Sequence, residues 1–248
     1  MRAMVLAAGL GSRLRPLTND RPKALVELGG RTLLEITLAR LREFGIGEVI
    51  VNAHHFADMI VDYLKAHDHF GLRIEVSRED VLLDTGGGLK KAAWFFLENP
   101  GGPAPFLVHN VDVISTIDLG KMAQLHAERG ALATLAMQSR KTSRYLLFDE
   151  EGELSGHKSA NHPNELVRST DSPQALAFCG LHVISPQIFS LLTEPGPFSI
   201  VDTYLRLAAG GEKILAFRAD EYYWRDLGRP GDLLQTAEDM RQNVTRQA

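Results

Sequence analysis

The sequence predicts an α/β fold with a mixed, mostly parallel sheet that is covered by helices on both faces. Short apolar runs alternate along the chain with segments in which apolar residues recur at helical spacing, and this alternation is typical of parallel strands joined by helices. The 248 residues, 44% of them hydrophobic, are enough to build a core without disulfides or structural metal ions. Because no linker rich in Gly, Ser or Pro divides the chain, we expect one domain over residues 1–248.

The first half predicts strands and helices in strict alternation. Residues 4–8 form a continuous apolar run and residues 49–51 a β-branched one, as expected of strands covered on both faces. Between them, apolar residues recur at helical spacing from Leu33 to Phe44, and Gly45 provides a stop. The other elements predicted in this half are a helix at 56–65, a strand at 72–76, a helix from about Thr85, and a strand at 106–108.

The second half is predicted to add strands beside this sheet. Its predicted strands lie at 131–137, 145–148 and 178–184, with a turn at 150–153. Its predicted helices lie at 186–192, 201–209 and 230–241.

Charge and composition exclude several classes of function. The 27 basic and 31 acidic residues give a net charge of −4, so no overall positive field attracts nucleic acid or an anionic membrane. No apolar run approaches the roughly 18 residues of a membrane span. The single cysteine, Cys179, excludes an intramolecular disulfide and predicts a reducing, cytoplasmic location. It lies in an apolar run, which favours a buried small side chain over a catalytic thiol.

The first candidate site is a glycine-rich segment after the first predicted strand. Ala7, Ala8 and Gly9 lead through Gly11 to Arg13. Glycines let backbone N–H groups approach a phosphate closely, and arginine adds a permanently charged planar fork. The third glycine of a dinucleotide fingerprint and the Gly-Lys-Ser/Thr of a phosphate loop are both absent, which excludes those two motifs. Residue types alone do not separate a phosphate cradle from an ordinary glycine turn.

A local cluster of positive charge follows. Arg13, Arg15, Arg21 and Lys23 lie close together in the sequence, with only Asp20 opposing them. On an otherwise acidic chain, such a patch suits a polyphosphate.

This stretch resembles the signature of the sugar-1-phosphate nucleotidyltransferases. The sequence LAAGLGSRL from Leu6 is followed by PLT and then by PK at 22–23. The resemblance extends over nearly the whole chain, and it implies a Rossmann-like nucleotide-diphospho-sugar transferase fold in a single catalytic domain. It also implies nucleotide binding by the first glycine-rich segment, at Ala7, Ala8, Gly9 and Gly11.

A second glycine-rich segment, LDTGGG at 83–88, looks like the part of the family that packs against the nucleoside base. The resemblance therefore implies nucleotide contacts at Gly86 and Gly87. Without it, three glycines before an apolar run indicate a flexible helix start.

Two aspartates are candidate metal ligands. Asp112 follows a predicted buried strand, at the edge where open α/β sheets bind ligands, although a solvated loop aspartate fits the same position. Asp226, in the sequence WRDLGRP, could equally cap the helix that begins near Pro230. The resemblance implies that both carboxylates bind the catalytic Mg²⁺, a cation that prefers hard oxygen ligands.

The resemblance also indicates where a sugar phosphate binds. The sequence FCGLHV resembles the strand at the floor of the sugar pocket, which implies a contact at Gly180, and Lys158 is the nearest counterpart of the family's phosphate-binding lysine. The substrate-binding residues expected in all are Asp84, Asn110, Lys158 and Gly180.

The activity that the resemblance implies is nucleotidyl transfer from a nucleoside triphosphate to a sugar 1-phosphate, with Arg13, Lys23 and Asp112 as catalytic residues. The chain most resembles enzymes that attach UMP to N-acetylmuramate 1-phosphate; GTP-dependent enzymes for mannose or heptose 1-phosphate share most of these residues and stay an alternative. Val111 stands where the family has a small residue, and this departure motivates another hypothesis, a non-catalytic regulatory module that binds nucleotide sugars. Family members often form homo-oligomers, and the sequence leaves that open for this chain.

Overall fold

A ten-stranded mixed sheet forms the centre of the computed structural model, which describes residues 1–98, 101–159 and 163–242. Within those residues the strands are β1 (Ala3–Leu6), β2 (Glu27–Leu28), β3 (Arg31–Thr32), β4 (Glu48–Ala53), β5 (Arg73–Arg78), β6 (Phe106–Asn110), β7 (Val113–Ser115), β8 (Ala133–Gln138), β9 (Arg144–Phe148), β10 (Leu154–Ser159), β11 (Glu165–Leu166), β12 (Gln174–Ile184), β13 (Ile214–Arg218) and β14 (Trp224–Asp226). The α-helices are α1 (Leu33–Glu43), α2 (Ala57–Ala66), α3 (Asp84–Lys91), α4 (Ala93–Leu97), α5 (Leu119–Arg129), α6 (Ile188–Leu191), α7 (Ile200–Ala209) and α8 (Pro230–Arg241). Short 3-10 helices lie at Ser12–Leu14, Lys23–Leu25 and Asp68–Gly71.

The two halves of the chain contribute differently to the large sheet. Its strands lie in the order β11-β10-β9-β12-β6-β1-β4-β5, and β8 pairs with β12 and with β13. The strands β6, β1, β4 and β5 are parallel neighbours. The long strand β12 runs antiparallel to β6, β8 and β9. The predicted mixed α/β fold is therefore confirmed, with its parallel part built by the first half of the chain.

Helices cover both faces of this sheet, as the sequence predicts. Along β1, Ala3 and Val5 pack in a core with α1 and α2, whereas Met4 packs in a second core with α3, α4 and α7. Side chains in a strand point alternately to opposite faces, so a strand that is apolar at every position must be covered twice.

Local chemistry sets the element ends. The Thr32 hydroxyl caps α1 by accepting a hydrogen bond from the Glu35 N–H at 3.1 Å, and the predicted stop at Gly45 has a φ of 73°. Strand β1 ends at Leu6, earlier than predicted, because the Ala7 N–H donates to Asn52 Oδ1 at 2.7 Å.

Several strands escaped prediction because their sequences carry little strand signal. Strands β2, β3 and β11 have two residues each, and β7 and β14 have three. Strand β10 reads LSGHKS, without apolar alternation. Among the helices of the described residues, none is long and apolar enough to cross a membrane.

Candidate active site

The carboxyl ends of β1 and β6 meet at one edge of the sheet, and a cleft opens there. Leu6 and Asn110, the last residues of these strands, lie opposite each other in parallel register. The Val111 N–H donates to the Leu6 carbonyl at 3.1 Å, which extends the pairing by one residue and brings Asp112 to the rim. Open α/β sheets bind their ligands at this edge.

The cleft has two sides that share Arg13. The loop side, of about 330 Å³, is lined by the first glycine-rich segment together with Lys23 and Asp112. The strand side, of about 780 Å³, is lined mainly by residues of β9, β10, β12, β14 and α7. The sequence-predicted residues that line one side or the other are Ala7, Gly9, Gly11, Arg13, Lys23, Asp84, Asn110, Asp112, Lys158, Gly180 and Asp226.

Glycines shape the loop side in two ways. Gly11 has a φ of 63°, and a Cβ built there would lie 2.9 Å from Thr18 Cγ2, so both its backbone and its surroundings favour glycine. A Cβ at Gly9 would meet nothing within 4 Å, which leaves its backbone open to the cleft. Ala8 is buried and does not line the loop side. The backbone thus offers the close approach that a phosphate chain needs.

An ion pair links the loop to the end of β6. Lys23 is largely buried, and its Nζ contacts Asp112 Oδ2. Val111, the residue before this aspartate, is itself buried in the core that contains α1. The departure from a small residue at that position is thus accommodated without moving the Asp112 carboxylate away from Lys23.

Asp226 reaches the same place from the other end of the chain. It lies on β14 opposite Val113 of β7, and the neighbouring Leu227 N–H donates to the Asp112 carbonyl at 2.8 Å. Burial, followed by the negative charge of Asp112, raises the pKa of the Asp226 carboxyl, and Lys23 partly offsets this. Two carboxylates of like charge repel each other in a confined space, and a cation beside them reduces that repulsion.

This pair of carboxylates fits a magnesium ion. Mg²⁺ is usually held by one or two carboxylates and takes its remaining oxygens from water and substrate phosphates. Asp112 and Asp226 supply such a set, and no cluster of three or more His, Cys, Asp or Glu that could hold a metal ion lies elsewhere in the described part of the chain. The donor chemistry therefore matches the cation that the sequence predicts.

Gly228 lets Arg13 and Asp226 lie close together. A Cβ at this position would lie 2.6 Å from Asp226 Oδ1 and 2.8 Å from Arg13 Nη2. Both distances are shorter than real Cβ contacts, so a larger residue would displace one of the two charged groups. Gly228 thus lies at the boundary between the loop side and the strand side, which we call the seam.

Sequence reasoning missed a buried hydrogen-bonded pair behind the loop side. Asn52 at the end of β4 accepts from the Ala7 N–H, and its Nδ2 donates to Glu79 Oε1 at 2.8 Å. Glu79 Oε2 accepts from the Leu83 N–H at 2.9 Å. Both side chains are buried, so the pair joins the two glycine-rich segments. The available signal was a polar residue inside the apolar strand β4, which requires a partner when buried.

The second glycine-rich segment is placed differently from the first. Gly86 and Gly87 are buried in α3, and the Gly86 N–H donates to the Phe198 carbonyl at 2.9 Å. A Cβ at Gly86 would lie 2.3 Å from the Phe198 ring. From this segment Asp84, with a φ of 59°, and Thr85 reach the cleft. Nucleotide binding by the two glycines stays a prediction, and their observed role is close packing against the segment before α7.

The floor of the strand side is a bulge in β12. The register between β12 and β8 shifts between Phe178 and His182, and Gly180 in this interval has a φ of 76°. A Cβ at Gly180 would lie 2.7 Å from Asn110 Nδ2, so the glycine makes room for this side chain. Lys158, which lies on β10, also lines the strand side. The structure therefore brings these three predicted residues to one side of the cleft.

Arg140 and Trp224 are strand-side residues that the sequence did not indicate. The Arg140 guanidinium carbon lies 3.7 Å from the centre of the Trp224 ring. Trp224 Nε1 in turn donates to the Cys179 carbonyl at 2.8 Å. Burial raises the pKa of the Cys179 thiol to about 12, which agrees with the predicted structural role of this cysteine.

Comparisons with known proteins agree with this geometry. A family model described as nucleotidyl transferase matches residues 2–243. The N-acetylmuramate alpha-1-phosphate uridylyltransferase of Caulobacter vibrioides is 37% identical over 238 residues, which cover 92% of each chain. The mannose-1-phosphate guanyltransferase of Yarrowia lipolytica is 29% identical over 94% of this chain, which spans 62% of that relative.

Solved structures show the same fold. HddC from Yersinia pseudotuberculosis, in complex with GMP-PN, has a TM-score of 0.74 at 22% identity, with 96% of this chain and 99% of that one covered. A UDP-glucose pyrophosphorylase in complex with UDP-glucose has a TM-score of 0.76 at 18% identity, with 98% of each chain covered. At these identities the likeness concerns the fold.

Proposed function

The chain belongs to the nucleotidyl transferase family, and we propose that it transfers UMP from UTP to N-acetylmuramate 1-phosphate, with release of pyrophosphate. Sugar-1-phosphate nucleotidyl transfer is the activity of the family. The choice of UTP and of this sugar is supported by the Caulobacter vibrioides relative, which matches over nearly the full length of both chains.

The observation that carries this proposal is the convergence of Lys23, Asp112 and Asp226 beside a glycine-rich loop that also presents Arg13. The loop side suits the triphosphate, because open backbone at Gly9 and the Arg13 guanidinium are both phosphate-binding groups. The strand side is large enough for a sugar ring. The two sides meet where a phosphate oxygen of one substrate must reach the phosphorus of the other.

The reaction requires alignment and charge neutralisation more than proton transfer. A sugar 1-phosphate has a second pKa near about 6, so at neutral pH the attacking oxygen is already negatively charged and needs no general base. This oxygen attacks the α-phosphorus in line as the bond to pyrophosphate breaks. Lys23 neutralises charge between the two substrates, and Arg13 holds the outgoing phosphates. Electrostatic stabilisation of this kind is usually the largest single catalytic effect.

Asp112 and Asp226 are the proposed ligands of Mg²⁺. When bound there, the ion supplies positive charge to the phosphate oxygens that face these carboxylates. Lys23 orients the Asp112 carboxylate through their direct contact. The two aspartates also place negative charge at the seam, which would repel the phosphates without a cation.

The second candidate is a GTP-dependent enzyme for mannose or heptose 1-phosphate. It is supported by the similarity to mannose-1-phosphate guanyltransferases. The regulatory module, a hypothesis from the sequence, is not favoured, because the chain keeps the charged residues through which it resembles a family of enzymes.

We propose further that residues 1–248 act as one catalytic domain in the cytoplasm, where nucleoside triphosphates are made. Homo-oligomer formation stays a prediction.

The experiment is a matrix of pyrophosphate release in the presence of Mg²⁺. UTP, GTP, CTP, ATP and dTTP are each combined with N-acetylmuramate, mannose, glucose and heptose 1-phosphates. We expect the highest kcat/KM for UTP with N-acetylmuramate 1-phosphate. The highest kcat/KM for GTP with mannose or heptose 1-phosphate would support the second candidate. No pyrophosphate release in any combination, from protein that binds nucleotide, would support the regulatory module.

A further inference from the structure

Arg140 is held rigidly on the strand side of the cleft. Its guanidinium stacks on Trp224, and its Nη2 donates to the Phe178 carbonyl at 2.6 Å. Because Trp224 is itself tied to the Cys179 carbonyl, the plane of the guanidinium is fixed by both β12 and β14. A fixed planar fork loses little conformational entropy when it binds an anion.

This arginine still has unused hydrogen-bond donors. Its Nε is buried and has no partner among the residues that the structure describes. No carboxylate of those residues lies within 4.0 Å of its guanidinium nitrogens. The Nε is out of reach of a ligand, but Nη1 also has no hydrogen-bond partner among the described residues. Because Arg140 lines the cleft, a ligand there can bind to Nη1.

Two further cations line the strand side, at Arg144 and Lys158. In the pairing of β9 with β10, Lys158 is opposite Tyr145 and Ser159 is opposite Arg144, so Arg144 and Lys158 project from opposite faces of this pair. Within the described ranges neither forms an ion pair with a carboxylate. Lys158 is the counterpart of the lysine that binds the 1-phosphate, and we refer to Arg140 and Arg144 as the strand-side cation cluster.

The cluster exceeds what a neutral sugar 1-phosphate needs. The 1-phosphate must lie at the seam, where Arg13 and Lys23 neutralise charge. Three carboxylates also line the strand side, at Asp84, Asp202 and Asp226, but none of them pairs with the cluster. Arg140 and Arg144 are thus available to a part of the acceptor other than its 1-phosphate.

We infer that Arg140, supported by Arg144, binds a second anionic group on the sugar, a carboxylate or a phosphate, and so selects acidic sugar 1-phosphates over neutral ones. The inference rests on the proposed nucleotidyl transfer but extends it, because it assigns the specificity for the acceptor to one residue. N-acetylmuramate 1-phosphate carries such a carboxylate, and mannose 1-phosphate does not. Arginine suits this role because its fork matches both carboxylate and phosphate oxygens.

The test compares acidic and neutral acceptors in matched pairs. The pairs are N-acetylmuramate with N-acetylglucosamine 1-phosphate, glucuronate with glucose 1-phosphate, and glucose 1,6-bisphosphate with glucose 1-phosphate. Each pair is assayed with UTP and with GTP for the wild type, Arg140→Met and Arg140→Lys. Arg73→Met is the matched control, since Arg73 is an exposed arginine of β5 that pairs with Glu48 away from the cleft.

We expect the wild type to prefer one or more acidic members by about 10- to 100-fold in kcat/KM. Arg140→Met should abolish that preference through a higher KM for the acidic acceptor, with the KM of the nucleotide unchanged and a much smaller loss of turnover for the neutral member. Arg140→Lys should fall between the two, and Arg73→Met should match the wild type. Turnover of the neutral member also reports that the variant is folded.

The outcomes separate this inference from the proposed function. Preference for glucuronate 1-phosphate or the bisphosphate, without turnover of N-acetylmuramate 1-phosphate, would refute the proposed sugar and keep the inference. The pair whose acidic member is preferred also shows whether the second anionic group is a carboxylate or a phosphate. Turnover of N-acetylmuramate 1-phosphate with equal losses for both members of the pair in Arg140→Met would refute the inference and keep the proposed sugar. Absence of any acidic preference in every pair would overturn it.

Discussion

The loop side and the strand side of the cleft are built from the sequence in different ways. The loop side comes mainly from one contiguous run, from Leu6 to Lys23, and from Asp112 just after β6. The strand side is assembled from the neighbouring strands β9 and β10 together with β12 and β14, which come from later parts of the chain. The side suited to the triphosphate is therefore encoded locally, whereas the side suited to the sugar depends on how distant strands pair.

This difference predicts distinct consequences of substitution. Changes on the loop side should reduce activity with every acceptor, because each acceptor meets the same triphosphate there. Changes on the strand side should alter the choice of acceptor. The following predictions test that division, beginning with the largest effect.

Asp112→Asn should lower kcat/KM by about 10³-fold or more, because the carboxylate is in contact with Lys23 and is a proposed metal ligand. The loss should be similar for every acceptor. Steady-state pyrophosphate release measures it, and circular dichroism with a thermal melt checks the fold. Turnover near that of the wild type from a folded variant would remove Asp112 from the mechanism.

Arg13→Lys should lower kcat/KM by about 10²-fold, mostly through a higher KM for the nucleotide, because lysine lacks the planar fork that binds phosphate in two places. Arg15→Lys is the matched control, since Arg15 is exposed and does not line the cleft. Initial rates over a range of UTP concentrations distinguish the two variants. Equal effects of both would mean that general positive charge, rather than the position of Arg13, supports binding.

Asn52→Ala should reduce the free energy of unfolding by about 1–3 kcal/mol, because it leaves the Ala7 N–H and Glu79 Oε1 without their buried partner. It should also raise the KM for the nucleotide, since the loop side loses its support. Asn19→Ala, at an exposed position, should leave both quantities unchanged. Urea unfolding gives the stability, and an unaltered midpoint in Asn52→Ala would contradict the assigned role.

Gly228→Ala should lower kcat/KM by about 10-fold, because its Cβ would displace Asp226 or Arg13 at the seam of the two sides. Gly231→Ala is the matched control, since its Cβ would meet nothing within 4 Å. Kinetics with both substrates varied should show that KM rises for nucleotide and acceptor together. An effect confined to one substrate would place Gly228 on a single side.

The smallest predicted effect concerns acid stability at the other edge of the sheet, away from the cleft. His126 bonds to Thr134 and Ser185, and burial lowers its pKa to about 4. Because the unfolded chain has the higher histidine pKa, near 6.5, it binds the proton first, so stability is lost as the pH falls from about 6.5 towards 4. Between pH 7.5 and pH 5.5, His126→Gln should lose about 1 kcal/mol less than the wild type in urea unfolding. Identical losses would mean that His126 is not buried in its neutral form.

The structure brings the loop-side residues named from the sequence to one rim, and their contacts with substrate stay a prediction. The glycines, Arg13 and Lys23 belong to one contiguous stretch after the first predicted strand, and Asp112 follows the predicted strand at 106–108. The strand side could not be predicted in the same way. Arg140 becomes part of the cleft only through the pairing of β8 with β12 and its stacking on Trp224, and no local pattern specifies a register between strands about 40 residues apart.

Two other positions show the same limit. Asp226 was identified through family resemblance, since its approach to Asp112 depends on the short strands β7 and β14, which carry little signal of their own. The resemblance predicts nucleotide contacts at Gly86 and Gly87, and the structure shows that the segment around Phe198 limits the space beside both glycines. A glycine run reveals that space is limited without revealing what occupies that space.

The proposed function requires the cleft to align a sugar 1-phosphate with the α-phosphorus of a nucleoside triphosphate. A radiolabel experiment checks this alignment, with UTP labelled at either the α- or the γ-phosphorus, N-acetylmuramate 1-phosphate as acceptor, and products separated by chromatography. We expect the α-label in the nucleotide sugar and the γ-label in pyrophosphate. Release of the γ-label as orthophosphate, or its transfer to the sugar, would refute nucleotidyl transfer.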